Sequence, residues 1–354
     1  MAVERIHLKF VAAPMVGQSD LPFRLLSCKH GATLAYTQML MPNRLLDEQE
    51  YLEQQLKDLS TVAHGIDQPV VVQLCGNDPD TIVKAGRKLQ NHCQGIDLNL
   101  GCPQEHARDG RFGAYLLGQS DWPLVETIVS SMAKSFTVPT SVKMRLCQPT
   151  PKTLQLSRRL EACGASWLTL HARTVSARRR RQGAADLNEV KQLKEGLSIP
   201  VISNGNVRIH ADLWDNLILT GADGLMVGET LLGNPYIFSG TVPDPVDVSL
   251  EYLSLFNQYP GVASLQTAQT HVRHFIEFQC GRRPWFNEFR AALSATKSVE
   301  EMFHLLCSKV QRWRGRNPRC PPNFMETECN SNSSNDEAHA SDALTGDLGI
   351  SMLE

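Results

Sequence analysis

The stretch PVVVQLCGNDPDTIVKAGRKLQNHCQGIDLNLGCP, residues 69–103, decides the fold. Two short apolar runs, VVVQL and IDLNL, flank a segment with helical spacing. The runs are continuous rather than alternating, as expected of parallel strands buried on both faces. Asp78 opens the intervening helix, a start signal. Strand, helix and parallel strand together form one unit of an α/β fold.

Outward from this unit the pattern repeats. LKFVAAP near residue 11 and TLAYTQM near 36 precede it. TSVKMRL near 143, SWLTLHA near 169, PVISNGN near 202 and DGLMVGE near 226 follow. Helical patterns such as SDLPFRLLSCKHG, LVETIVSSMAKSF, TPKTLQLSRRLEACG, LNEVKQLKEG and HADLWDNLILTG lie between most of them. Eight strands alternating with helices over roughly 240 residues predict an α/β (β/α)8 TIM barrel. A doubly wound open sheet is the alternative, because alternation alone does not reveal closure. Strand signals stop after Pro243, and residues 247–315 read as helices. The expected organisation is a catalytic barrel over 1–242, a smaller C-terminal helical domain over 243–320 and a disordered acidic tail over 321–354.

The chain has 354 residues, 42% hydrophobic and 20% charged, in the range of globular proteins. No apolar run approaches the ~20 residues of a membrane span. No signal-peptide pattern opens the sequence, so secretion is not expected. Ten cysteines are scattered without a C-x-x-C pair, which argues against a zinc site and a disulfide framework. These features point to the cytoplasm, with the nucleus a second location, and to a chain with no metal and no membrane partner. The net charge of −2 conceals an asymmetry. Seven acids and no Lys or Arg lie between Glu326 and Glu354, whereas residues 271–320 hold ten Lys/Arg against four acids. The basic stretch permits an anionic partner.

In a barrel, function gathers at the C-terminal ends of the strands. Those ends carry Pro14-Met15, Gln73, Asn99 with Cys102, Lys143 and Arg145, His171 and Arg173, Asn204-Gly205-Asn206, and Gly228-Glu229. A core layer of Val, Ile and Leu would look different. Lys143 inside an apolar strand is costly unless paired or used. An anionic cofactor, Schiff-base chemistry or a structural acid partner would each account for it. Cys102, with an ordinary thiol pKa near ~8.5, is protonated at neutral pH and suited to donate a proton or act as nucleophile. Gly205 and Gly228 follow the seventh and eighth strands, where barrels often cradle a phosphate. No G-x-G-x-x-G follows any strand, so a Rossmann site has no support. His271 and His274, three apart, read as helix-surface residues rather than metal ligands. The run Arg178–Arg181 follows the sixth strand as a solvated loop or a phosphate contact. Trp313, between Arg312 and Arg314, reads either as an RNA-stacking residue or as a packed helix end.

APM (13–15), VQLCGNDP (72–79), DLNLGCPQ (97–104), GRFGAYLL (110–117), VKMR (142–145), HART (171–174), SNGNV (203–207) and MVGETLLGNP (226–235) resemble the tRNA dihydrouridine synthases, in order, over residues 8–240. Gln104 after G-C-P resembles the eukaryotic branches, above all the one acting on uridines 16 and 17. The branch for 20a and 20b is the alternative. The resemblance implies bound FMN, reduced by NADPH, passing a hydride to C6 of a tRNA uridine while Cys102 protonates C5. It implies Pro14, Met15 and Val16 along the flavin ring and Gln73 and Lys143 at its polar edge. His171, Asn204, Gly205, Asn206, Gly228 and Glu229 would surround the phosphate. Asn99 would orient the uracil, with Arg145 and Arg173 on the substrate side. The helical domain would bind tRNA, and the protein would act as a monomer. Three positions depart from the family pattern: Gln38 for a Pro, Ala172 for a Gly, and Glu229, which would serve the phosphate through its backbone. An FMN barrel acting on a small molecule and an RNA-binding protein without catalysis are the competing function classes.

Overall fold

A computed structural model describes residues 3–60, 69–176 and 183–319. Eight parallel strands close into a barrel in chain order: β1 (Phe10–Ala12), β2 (Leu34–Leu40), β3 (Val70–Leu74), β4 (Gly95–Leu100), β5 (Thr140–Arg145), β6 (Trp167–His171), β7 (Val201–Asn204) and β8 (Gly224–Val227). β8 pairs with β1 through Phe10↔Leu225, Val11↔Met226 and Ala12↔Val227, so the open-sheet alternative is excluded. All eight strands lie where the sequence predicts them.

Side chains along a strand alternate between its two faces. On β4, Ile96, Leu98 and Leu100 join the apolar layer under the helices, while Asp97 and Asn99 face the barrel interior with polar partners from β3 and β5. The lower interior is apolar, built from Leu8, Val11, Leu34, Tyr36, Val71, Trp167, Ile202 and Met226. Gly95 leaves room for the Trp167 ring, which a Cβ there would meet at 3.0 Å. Above this plug the inward positions on β3 to β6 turn polar: Gln73, Asp97, Asn99, Ser141, Lys143, Arg145 and His171. The apolar plug closes one end and leaves a polar mouth at the other.

The helices around the barrel are α1 (Leu21–Lys29), α2 (Pro42–Asp47), α3 (Gln49–Asp58), α4 (Pro79–Leu89), α5 (Glu105–Asp109), α6 (Trp122–Ser135), α7 (Lys152–Ala162), α8 (Leu187–Gly196), α9 (Ala211–Thr220) and α10 (Glu229–Gly233). α2, α3 and α5 are not anticipated by the sequence reading. After Pro243 come α11 (Pro245–Gln258), α12 (Leu265–Cys280), α13 (Phe286–Ser294), α14 (Val299–His304), a π-helical turn over Leu305–Val310 and α15 (Gln311–Trp313). Asp244 and Ser264 cap α11 and α12 by accepting from Val246 N and Thr267 N. No described helix is long and apolar enough to cross a membrane. The Arg178–Arg181 run and the acidic tail lie outside the described residues.

The C-terminal helices share one apolar cluster with the barrel. Ala12, Phe23, Leu26 and Leu225 pack in it with Tyr252, Phe275, Phe289 and Phe303. A polar interlock lies at the same seam. Asp20 accepts from Phe23 N as the α1 cap and lies 2.7 Å from Nε2 of His271 on α12. His271 is fully buried, stacked on Phe23 at 4.6 Å and against Phe275. The helix-surface reading of His271 is therefore corrected: a partner carboxylate on α1, distant in sequence, makes its burial tolerable. His274 is half-buried, and burial and the adjacent Arg273 push its imidazole down to about 3. Among the described residues no cluster of His, Cys, Asp and Glu could hold a metal.

Arg24 on α1 sits beside this seam. Its guanidinium donates to Asp58 Oδ2 at 2.7 Å, to the Asp58 carbonyl at 2.7 Å and to the Ser19 carbonyl at 2.6 Å. Burial raises the Asp58 pKa, and Arg24 opposes that rise. Arg24→Ala leaves a buried carboxylate without its cation and should cost about 3–5 kcal/mol. Urea denaturation checks this, and a loss under about 1 kcal/mol would contradict it.

Candidate functional site

The polar mouth is organised from below by Asp97, which has no exposed surface. Ser141 Oγ donates to its Oδ1 at 2.6 Å and Gln73 Nε2 to its Oδ2 at 2.9 Å. Gln73 Oε1 accepts from Asn99 Nδ2 at 2.8 Å. Asn99 Oδ1 then accepts from the amides of both Gly101 and Cys102 at 2.9 Å. A continuous relay thus runs from the middle of the barrel to the backbone of Cys102.

The other side of Cys102 is fixed by the segment after α5. Ala114 N donates to the Cys102 carbonyl at 3.1 Å. Gly113, at φ +65, packs so close that a Cβ there would lie 2.9 Å from the Cys102 carbonyl oxygen and 3.0 Å from Cβ. Gly113 is the second glycine of the G-x-x-G-A stretch, and its lack of a side chain lets that stretch close on Cys102. Arg145 Nε donates to the Gly101 carbonyl and Nη1 to the Thr174 carbonyl, both at 2.9 Å, tying the β4 loop to the β6 loop. The Cys102 thiol is half-buried. Desolvation raises its pKa, opposed by the Gln104 amide, Arg145 and Lys143. His106 Nε2 lies 3.9 Å from its Sγ.

Beside the thiol stands a group of cations. Lys143 is paired in register with Asn99 and Thr169, and Arg145 with His171. Burial and Arg145 push the Lys143 ammonium down to about 8. Burial and Arg173 push Arg145 down to about 10. Burial, Lys143, Arg145 and Arg173 drive the His171 imidazole well below its ordinary value, so it is neutral. Lys143 makes no salt bridge among the described residues, and Asp97 is the acid whose charge supports it. Lys143, Arg145 and Arg173 hold like charges close together, an arrangement that favours an anionic ligand.

The remaining strand ends form a rim with little side-chain bulk. Asn204 Nδ2 donates to the Met226 carbonyl. Gly205 has φ +130 and Asn206 φ +58. Asn206 is held there by exchanging hydrogen bonds with the Ala185 backbone at 2.8 and 2.7 Å. A Cβ on Gly228 would meet Ala13 Cβ at 3.3 Å and Met15 Sδ at 3.7 Å. Gln38 Oε1 accepts from Gly17 N at 2.9 Å, holding the β1 loop over the mouth. Pro14 and Met15 are half-buried, while Val16 is 62% exposed.

Pro14, Met15, Gln73, Asn99, Cys102, Lys143, Arg145, His171, Arg173, Asn204, Gly205, Asn206, Gly228 and Glu229 all lie at the C-terminal ends of their strands or just beyond. The contacts of Arg145 described above go to backbone carbonyls, and both amides of the relay are largely committed. Asp97, Ser141, Gln38 and His106 belong to the arrangement but were not singled out as site residues. Asp97 had a signal: an acid inside the apolar run GIDLNL.

The dihydrouridine synthase family model, described as "Dihydrouridine synthase (Dus)", matches residues 11–306. The chain belongs to the dihydrouridine synthase family. A Rattus norvegicus protein named tRNA-dihydrouridine(16/17) synthase-like is 37% identical over 252 residues, covering 71% of this chain and 56% of that protein. The tRNA-dihydrouridine(16/17) synthase of Saccharomyces cerevisiae is 34% identical over 231 residues, covering 65% and 54%. A Homo sapiens protein named tRNA-dihydrouridine(20a/20b) synthase-like is 34% identical over 262 residues, covering 70% and 80%. The chain thus spans about half the length of the rat and yeast relatives. A solved 2-naphthoyl-CoA reductase complex shares the fold, with a TM-score of 0.51 at 11% identity, covering 65% of this chain and 49% of that one. Within the family's barrel, the cation group and the side-chain-poor rim suit a ligand with a phosphate and a flat polar ring system.

Burial raises Asp97 from its ordinary 3.8 to about 7, moderated by Ser141, Gln73 and Lys143. Between these values the folded chain keeps a proton that the unfolded chain has released. Its contribution to stability is therefore full below about pH 4 and is lost as pH rises through about 7. Asp97→Asn removes that slope. Urea midpoints at about pH 5 and about pH 7.5 should differ less in the variant than in the wild type. Equal differences would refute the assignment.

Proposed function

We propose that this chain is a flavin-dependent tRNA-dihydrouridine synthase acting on a D-loop uridine, with positions 16/17 favoured. The observation that carries this reading is a thiol locked at the barrel mouth by Asn99, Gly113 and Ala114, beside the cations Lys143, Arg145 and Arg173. Bound FMN, reduced by NADPH, would supply the hydride that adds to C6 of the uracil. The chain's residues do the rest. Lys143 holds negative charge at the polar edge of the ring. His171 and the Gly205, Asn206, Gly228 and Glu229 backbone receive the phosphate, with Arg173 near it on the substrate side. Pro14 and Met15 flank the ring, and Val16 lies at its outer margin. Because burial keeps the Cys102 thiol protonated, it arrives at C5 carrying the proton that completes the reduction. A base in folded tRNA must be extruded to reach this mouth.

The helices over residues 243–320 are the proposed tRNA-holding domain. Arg314 and Arg316 pair with Asp244, and Arg319 with Asp247. Trp313 stacks on Trp285 at 5.8 Å, which favours its reading as a packed helix end. Arg282, Arg283, Arg290, Lys297, Lys309 and Arg312 are exposed and make no ion pair among the described residues. These are the side chains offered to phosphates. An FMN barrel acting on a small molecule, the competing reading, has no use for them.

The decisive experiment is the absorption spectrum of the purified protein before and after anaerobic NADPH, followed by mapping dihydrouridine in tRNA. A colourless protein that takes up no FMN would end this reading. Cys102→Ala should retain flavin bleaching and lose dihydrouridine formation by roughly 10²–10⁴-fold. Arg282→Glu with Arg283→Glu should weaken tRNA binding and flatten its dependence on log salt by about one to two. Filter binding at several salt concentrations measures this, and an unchanged slope would place the tRNA elsewhere.

A further inference from the structure

Proton donation from Cys102 leaves a thiolate, and each new turnover needs that proton restored. The groups facing the sulfur are Lys143 and Arg145 from β5, Cys75 from the end of β3, the Gln104 amide and His106 from α5. Lys143 and Arg145 face the ligand side of the mouth. Cys75 is fully buried, and burial pushes its thiol up to about 12. His106 differs from all of them. It is exposed to solvent, and its Nε2 lies 3.9 Å from Cys102 Sγ.

The placement of His106 is built into the loop. It lies four positions after Cys102, and Pro103 and Gln104 lead directly into α5, so one turn brings the imidazole back over the thiol. Gly110 N donates to the His106 carbonyl at 3.0 Å. The ring packs against Phe112 with centroids 5.7 Å apart. Phe112 N in turn donates to the Ala107 carbonyl at 2.9 Å, one residue before the Gly113 that presses on Cys102. One short segment therefore fixes both the thiol and the imidazole.

We propose that His106 is the proton-return residue for Cys102, carrying protons from solvent to the sulfur between turnovers. This rests on Cys102 being the proton donor to uracil. The thiol S–H bond breaks as the C5–H bond forms. The imidazolium N–H bond then breaks as a new S–H bond forms, and solvent reprotonates the imidazole. No electrons move in these return steps. Imidazole is the side chain whose unperturbed protonation equilibrium lies closest to neutral pH, which suits it to this shuttle.

The test uses the full chain loaded with FMN, with His106→Ala and His106→Gln. Gln keeps a hydrogen-bonding side chain but carries no exchangeable charge state. Both variants should give a first turnover on prereduced enzyme at the wild-type rate, because each thiol starts protonated. Both should slow in steady state by roughly 10- to 100-fold, the lower range of general acid–base effects. Added imidazole should restore His106→Ala. An unchanged steady state, a slowed first turnover, or a loss that imidazole does not restore each overturns the proposal. A second arm measures Cys102 alkylation by iodoacetamide against pH, located by peptide mass, and does not depend on turnover. His106→Ala should alkylate several-fold more slowly than wild type near pH 7, where the imidazole takes the thiol proton as the sulfur attacks the reagent. If the wild type makes no dihydrouridine, the function proposed above fails. The alkylation arm then decides on its own whether the two groups share a proton, and equal rates overturn it.

Discussion

The carboxyl group of Asp97, sealed inside the barrel, imposes a direction on everything above it. Asp97 Oδ2 accepts from Gln73, which therefore turns its NH₂ downward. Its carbonyl oxygen then points to Asn99, whose own NH₂ must face it. The Asn99 oxygen is left to face the backbone amides at Gly101 and Cys102. Each amide has one orientation that satisfies both neighbours, and a single flip would set two donors or two acceptors against each other. A buried polar network satisfied in this way is rigid. The thiol inherits that rigidity through its backbone, so its position does not depend on a mobile loop.

The charge distribution completes the design. Asp97 lies below the relay, while Lys143, Arg145 and Arg173 lie above it. The protein leaves excess positive charge where it excludes water, which lowers the affinity of these groups for protons and keeps His171 neutral. An anion entering the mouth relieves the repulsion. The neighbouring thiol keeps its proton because its own desolvation outweighs the pull of Lys143 and Arg145. An excess of positive charge and a protonated thiol are thus held side by side at the mouth.

Much of this was legible in the sequence. Strands buried on both faces advertise themselves as apolar runs, and the amide, Lys and His residues at their ends marked the mouth. Cys102 was legible because Gly101, Pro103 and the downstream glycines restrict the backbone around it. Other features required register or distant partners. Asp97 and Ser141 sit on neighbouring strands and meet only when β4 and β5 align. His271 looked like a surface residue because its partner, Asp20, lies at the start of α1. α3 has a polar sequence, QEYLEQQLKD, with Leu52, Gln55 and Asp58 its buried residues, so its pattern is weak. His106 lies in a five-residue helix, too short for periodicity to announce it.

The apolar cluster that joins α11–α14 to β1, β8 and α1 has a thermodynamic consequence. Residues on either side of Pro243 bury each other, so unfolding one part exposes the other to water. Under such coupling, a ligand gripping the outer helices stabilises the barrel, and a ligand filling the barrel mouth stabilises the helices, without any change of shape. The two ends of the molecule are linked through the free energy of the folded state rather than through a moving part.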